Sequence, residues 1–357
     1  EMEELPVMGA YADAAWAGTL DELKESAVFL FRRPKNDLDI GTDLGHDGGG
    51  YEFDIDMRRY PYLTAELGGG MQVTLHRRVL IDAKDTEALA VCMMGSGSAM
   101  LGYYMYHGGT NPDGRLSTME ESEAVGAPNT LPVKSYDFQA ILRENGDVHE
   151  SYHLTRRHHL LLRTFGHLVA PAETVIPPEN PTDPADLTSV RFALRHNAEV
   201  GGGFLFINNH MRRRRMEAHT ALTFALQNGS DTLTLPPIDL ACDDIRILPY
   251  RIPLTDRALL ECSNATPLCV LGERWFFYTD EKPVYRFAPG SEVPEIITLT
   301  EEETRRAYKI GDALYIADCA LYARNGEVYA EYEKDTDVTV YRATGPAEHY
   351  RLHTDAV

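Results

Sequence analysis

Tyr60-Pro61-Tyr62-Leu63-Thr64-Ala65-Glu66-Leu67, running into Gly68-Gly69-Gly70, reads as a strand that ends on a carboxylate and loosens into glycine. Aromatic and β-branched residues suit a pleated, half-buried strand, and consecutive glycines stop one. Strand alternation puts Glu66 on the side of Tyr62 and Thr64, at the C-terminal end. In an α/β barrel, that end is where catalytic groups gather. From the pattern alone, an N-cap or a solvated strand end is the plainer reading of Glu66.

The neighbouring segments extend this reading. Asp85 to Gly95 (DTEALAVCMMG) has apolar residues at helical spacing, with Asp85 placed to cap the start. Ala99 to Tyr106 (AMLGYYMY) reads as the next strand, stopped by Gly108-Gly109. Upstream, Ala27-Val28-Phe29-Leu30-Phe31 is a short apolar run, a buried-strand candidate. Ser151 to Phe165 reads as a helix closed by Gly166 at a C-cap position. Three strand-then-helix units in a row predict a parallel sheet or barrel.

The composition then shifts. Residues 171–188 read as a Pro-rich linker, with five prolines between Pro171 and Pro184. From Ser189 onward helices nearly vanish. Short strands recur at Val190–Leu194, Gly203–Ile207, Thr232–Leu235, Arg274–Tyr278, Ala313–Ala317, Val328–Tyr332 and Val338–Tyr341. Turn pairs such as Asn228-Gly229 and Asn325-Gly326 separate them. That is the pattern of β-sandwich material, in one or two small domains over residues 189–357.

Composition bounds the function. The 357 residues are 43% hydrophobic and 25% charged, ordinary for a globular protein. No run of about 18 apolar residues exists, so no membrane-spanning helix is expected. Asp and Glu number 55 against 34 Lys and Arg, a net charge of −21, which argues against nucleic acid as a partner. The block Arg212-Arg213-Arg214-Arg215 is the exception, and a solvated hairpin or strand end is its expected place. Five cysteines without a CxxC fit reduced, mostly buried thiols and supply no zinc site. No cofactor or metal motif is visible. The chain opens at Glu1 without a basic-then-apolar leader, which reads as a processed product or fragment and favours the cytoplasm. The oligomeric state is not written in the sequence.

Two more segments can carry chemistry. Tyr103-Tyr104-Met105-Tyr106-His107-Gly108-Gly109-Thr110-Asn111 offers rings that stack on sugars and polar ends that bond hydroxyls, or else a Tyr-rich core strand with a glycine turn. Ser135-Tyr136-Asp137-Phe138 follows a long loop of the kind that is often functional, or else forms a turn capped by Ser135 or Asp137. His158-His159 point in different directions on a helix, make no metal face, and read as surface.

Together and in this order, these segments resemble glycoside hydrolase family 35, the β-galactosidases. YPYLTAELGGG is similar to the family's nucleophile segment on the seventh barrel strand. YYMYHGGTN resembles its most recognisable string, and SYDF with Gln139-Ala140 its galactose-pocket segment. Gly203-Phe204-Leu205-Phe206-Ile207-Asn208-Asn209 is similar to a strand of the β-rich domain that follows the barrel. The resemblance implies Glu66 as catalytic nucleophile and Tyr104, Tyr136 and Phe138 as substrate-binding residues. Many members carry Tyr where Phe138 stands. It implies a retaining exo-hydrolase of terminal β-D-galactosides, with a β-galactoside as partner and no cofactor. It also implies that residues 1–170 are the C-terminal part of a (β/α)8 TIM barrel, about its last three units. The family's general acid lies in an upstream Asn-Glu pair, and no such pair stands in that place here. A barrel needs about 250 residues, and about 65 precede Glu66. The expectation is therefore an enzyme part, inactive alone. A non-catalytic carbohydrate-binding or interaction protein is the rival, and an upstream in-frame Asn-Glu on a strand would decide against it. A same-family β-glucosaminidase is the other.

Overall fold

The computed structural model describes residues 8–14, 21–22, 24–32, 60–74, 77–112, 115, 134–228 and 230–354. Three parallel strands, β1 (Met8–Ala10), β2 (Leu63–Gly68) and β3 (Met100–Tyr104), lie side by side in chain order. Helix α1 (Ala83–Ser96) makes the crossover from β2 to β3 that parallel neighbours require. Asp82, not Asp85, is its N-cap. Asp85 sits three residues on and accepts from the Asp82 backbone N–H at 3.0 Å, the return half of a capping box. Every residue of α1 except Lys84 is buried, as in a core helix rather than a surface one.

The run Ala27–Phe31 is not a strand. Ala27–Phe29 forms one 3-10 turn capped by Ser26, and Val28, Phe29, Leu30 and Phe31 are buried. A five-residue apolar run satisfies either geometry, because burial on all sides has no period. The strand beside β2 is instead Met8–Ala10. Helix α2 (Glu150–Val169) runs straight through Gly166 and ends at Ala170.

A six-stranded antiparallel meander follows: β4 (Glu173–Val175), β5 (Arg191–Asn197), β6 (Gly202–Asn208), β7 (Ile245–Thr255), β8 (Ala258–Ser263) and β9 (Tyr285–Phe287). Its first strand comes from within the Pro-rich stretch. β6 is buried along its whole length. Phe204 and Phe206 join the core built on α1 and α2, while Leu205 and Ile207 fill a second core on the other face. Beyond lie a three-stranded sheet, a four-stranded sheet and a hairpin over Ala320–Arg324 and Glu327–Glu331. Asn325 and Gly326 turn that hairpin with φ of 54° and 83°, the pair of positive values a two-residue turn requires. The described residues are thus mostly β-strand with few helices, and no described helix is long and apolar enough to cross a membrane.

Buried charge joins the helices to the sheets. Arg195 of β5 donates to Met94 O at 2.6 Å and Val169 O at 2.7 Å, so one guanidinium serves the last carbonyls of both helices. Burial pushes its pKa down to about 10. Glu87 of α1 lies between Arg157 Nε at 2.8 Å and His158 Nε2 at 2.7 Å, with Lys84 Nζ 3.0 Å from its other oxygen. Burial alone would raise the Glu87 carboxyl; Arg157, Lys84 and His158 outweigh it and hold it well below the usual range. His158 is therefore a buried partner and not a surface residue, and burial lowers its own pKa. All five cysteines are free.

The arginine run is not simply solvated. Arg214 pairs with Glu25 at 2.5 Å, and Arg212 is buried in ion pairs described below. Nearby, buried His210 bridges Asp85 of α1 (Nε2 to Oδ1, 2.9 Å) and Asp243 (Nδ1 to Oδ1, 2.7 Å), with the Phe29 ring edge-on at 5.5 Å. Burial opposes its charge, but the two carboxylates win and raise its pKa. The stabilisation is full below the unfolded value of about 6.5 and is lost as pH rises through the higher folded value. Melting temperatures from about pH 5 to about pH 9 should fall more above neutrality in the unsubstituted chain than in His210→Gln. Equal slopes would remove this role from His210.

Candidate active site

Glu66 lies near the C-terminal end of β2 and its side chain is exposed. The ladder slips on both sides of it, with shifts at Met8/Gly9 against β1 and between Thr64 and Leu67 against β3. Simple alternation therefore does not carry from Thr64 to Glu66: Thr64 is buried, while Ala65 and Glu66 both face outward. Such an irregularity re-aims a side chain, and here the side chain is the carboxylate.

Tyr11, one residue beyond β1, donates its hydroxyl to Glu66 Oε2 at 3.0 Å. Its phenol is pushed far up by burial, then by the Glu66 charge and the hydrogen bond to it, so it stays a donor at any working pH. A Cβ at Gly9 would come within 3.1 Å of Glu66 Cβ, and one at Gly68 within 2.8 Å of the Tyr11 ring. Small residues at these two places let the strand and the ring close on the carboxylate.

The other three expected residues meet beside it. The Tyr104 and Tyr136 hydroxyl oxygens are 2.6 Å apart. Phe138 sits against both, with ring centroids 5.3 Å from Tyr104 and 5.5 Å from Tyr136, and 6.4 Å from Tyr11. Phe138 is only 2% exposed, so its ring backs the tyrosines while they are half-buried. The result is a rim of phenol groups over an apolar floor, next to one exposed carboxylate.

The glycine turn builds this arrangement. Gly109–Thr110 pairs with Ser135–Tyr136, and Ser135 and Thr110 both donate to Glu144. Asp137 accepts from Arg143 Nε at 2.7 Å and from the Glu144 N–H at 2.8 Å. Burial would raise the Asp137 carboxyl, but these bonds hold it low. Gln139 ties the far side, donating to Met71 O and Val79 O and accepting from the Ile81 N–H. Phe138 and Gln139 stand at φ of 60° and 49°, uncommon for residues with side chains, and these bonds keep them there.

Gly70 packs under that turn. A Cβ there would lie 2.2 Å from Phe138 O and 2.4 Å from Gln139 O, both backbone atoms. Gly70→Ala should cost about 1–3 kcal/mol and displace the Phe138 ring. Gly109→Ala is the control, since its Cβ meets nothing within 4 Å. Denaturant unfolding of the two variants checks this, and equal stabilities would refute it.

Sequence reasoning did not find Tyr11. Its strand is three residues long and offers only Met, Gly and Ala. Among the described residues, no group of three or more His, Cys, Asp or Glu side chains could hold a metal ion.

A comparison with curated proteins gives no match. A family model does match: residues 51–161 fit the one described as Glycosyl hydrolases family 35. The match covers less than half of the chain and includes Glu66, Tyr104, Tyr136 and Phe138. Over residues 51–161, therefore, the chain is similar to glycosyl hydrolases family 35, a family of glycosidases whose substrates are carbohydrates.

Proposed function

We propose that this chain carries the nucleophile half of a retaining exo-β-galactosidase site. The observation that supports it most is an exposed carboxylate at a strand's C-terminal end, oriented by Tyr11 and bordered by Tyr104 and Tyr136. On this reading β1–β3 with α1 and α2 belong to the C-terminal part of a (β/α)8 barrel, over residues 1–170, and residues 189–357 are the β-rich region that follows. Glu66 attacks the anomeric carbon and forms an ester, while the bond to the leaving oxygen breaks. A retaining site needs a second carboxyl about 5–5.5 Å away to protonate that oxygen. The reading assigns the acid to no residue of this chain.

The test follows from that division. A dinitrophenyl 2-deoxy-2-fluoro-β-galactoside needs no acid, because dinitrophenolate departs with its electron pair unprotonated. It should esterify Glu66, detected by peptide mass mapping, while simple alkyl β-galactosides remain uncleaved. Labelling elsewhere, or none, would sink the nucleophile assignment. Turnover of the alkyl galactoside would sink the missing acid.

A further inference from the structure

We propose that Arg212, on the loop after β6, is a positioning residue for the Glu66 carboxylate. The proposal rests on the reading of Glu66 as nucleophile and adds a part of the site that lies outside the α/β segment.

Arg212 reaches three segments at once. Its Nη1 is 2.7 Å from Asp13 Oδ2, with the two side chains 8% and 6% exposed. Its Nη2 donates to Leu80 O at 2.6 Å, and its Nε lies 3.4 Å from Asp85 Oδ2. Asp13 is two residues beyond Tyr11, the donor to Glu66. Leu80 belongs to the loop that leaves β2, and Asp85 to the first turn of α1. The exit of β1 and the exit of β2 are thus joined by one planar fork. The first exit carries Tyr11, and the second follows the strand that holds Glu66.

The geometry uses what is particular to arginine. A guanidinium presents donors in several fixed directions, whereas an ammonium on a flexible stem is a point charge. Burying it is costly unless it is paired, and here Asp13 and the Leu80 carbonyl take its two terminal nitrogens, while Nε makes only a charge contact with Asp85. Burial lowers its pKa, and Asp13 and Asp85 oppose that shift. If the fork is lost, Asp13 can swing and Tyr11 with it. The Glu66 oxygen then loses its fixed bearing on the anomeric carbon. A misplacement of about 1 Å costs about a hundredfold in rate.

The experiment uses Arg212→Lys and Asp13→Asn in the 357-residue chain. One readout is the maximal rate and half-saturation of Glu66 labelling by the dinitrophenyl fluorogalactoside. The other is amide hydrogen exchange of residues 8–14, compared with the distant strand Arg274–Tyr278. The maximal rate should fall about tenfold to a hundredfold with half-saturation nearly unchanged. Residues 8–14 should exchange faster while Arg274–Tyr278 keeps its protection. Unchanged labelling in folded variants would overturn the proposal. So would loss of protection in both segments, which would mark Arg212 as general structural support. If the unsubstituted chain is not labelled at Glu66, the nucleophile reading fails. Exchange then decides alone: selective loosening of 8–14 sustains the tie, and unchanged exchange overturns it.

Discussion

Glu66→Gln should abolish labelling by the activated fluorogalactoside while leaving the melting curve in place. The amide keeps the size of the carboxylate and can still meet the Tyr11 hydroxyl, but it has no charge with which to attack carbon. Losing the nucleophile removes a reaction route, whereas losing a cap or surface hydrogen bond costs about 1 kcal/mol of stability. The two roles for Glu66 therefore separate cleanly. Peptide mass mapping at a concentration that saturates the unsubstituted chain is the measurement. Labelling of Glu66→Gln at a comparable rate would remove Glu66 from the reaction.

The second large effect is on stability. Glu87→Gln should cost about 3–5 kcal/mol, because it leaves Arg157 buried beside a neutral amide. Arg157 is 1% exposed on its side chain, and its remaining carboxylate partner is Glu301 at 3.1 Å. The triple change Glu87→Leu, Arg157→Met and His158→Leu should recover much of that loss, since no charge is left without its partner. Denaturant midpoints of the single and triple variants test this. A triple variant as unstable as the single one would place the cost in shape and not in charge.

The sequence made some of this legible and hid the rest for identifiable reasons. β2 and α1 announce themselves through aromatic and β-branched residues and through helical spacing, although β2 runs two residues past Glu66, to Gly68. Tyr104, Tyr136 and Phe138 were legible as segments, and the structure brings their rings together. Phe138 is buried, and the turn that carries it is tied by Gln139 to the Met71 and Val79 carbonyls. The ladder slip beside Glu66 was invisible, since alternation assumes a regular register. Ala27–Phe31 and His158 misled for a common reason. Apolar runs and adjacent histidines report burial only through a period, and neither has one here. Tyr11, Arg212 and Arg195 act across long separations in sequence, where local patterns carry no information.

Arg195 sets a timetable for synthesis. It stands 101 residues after Met94, to whose carbonyl it donates. A ribosome adding about 5–20 residues per second takes about 5–20 s to cover that distance. Through that interval the residues of α1, nearly all buried in the finished fold, lack both the Arg195 guanidinium and the Phe204 and Phe206 that cover them. The nascent chain must be shielded until β5 and β6 emerge. Slowing translation between Met94 and Arg195 should lower soluble yield more than an equal slowing after Tyr278, where that core is already closed.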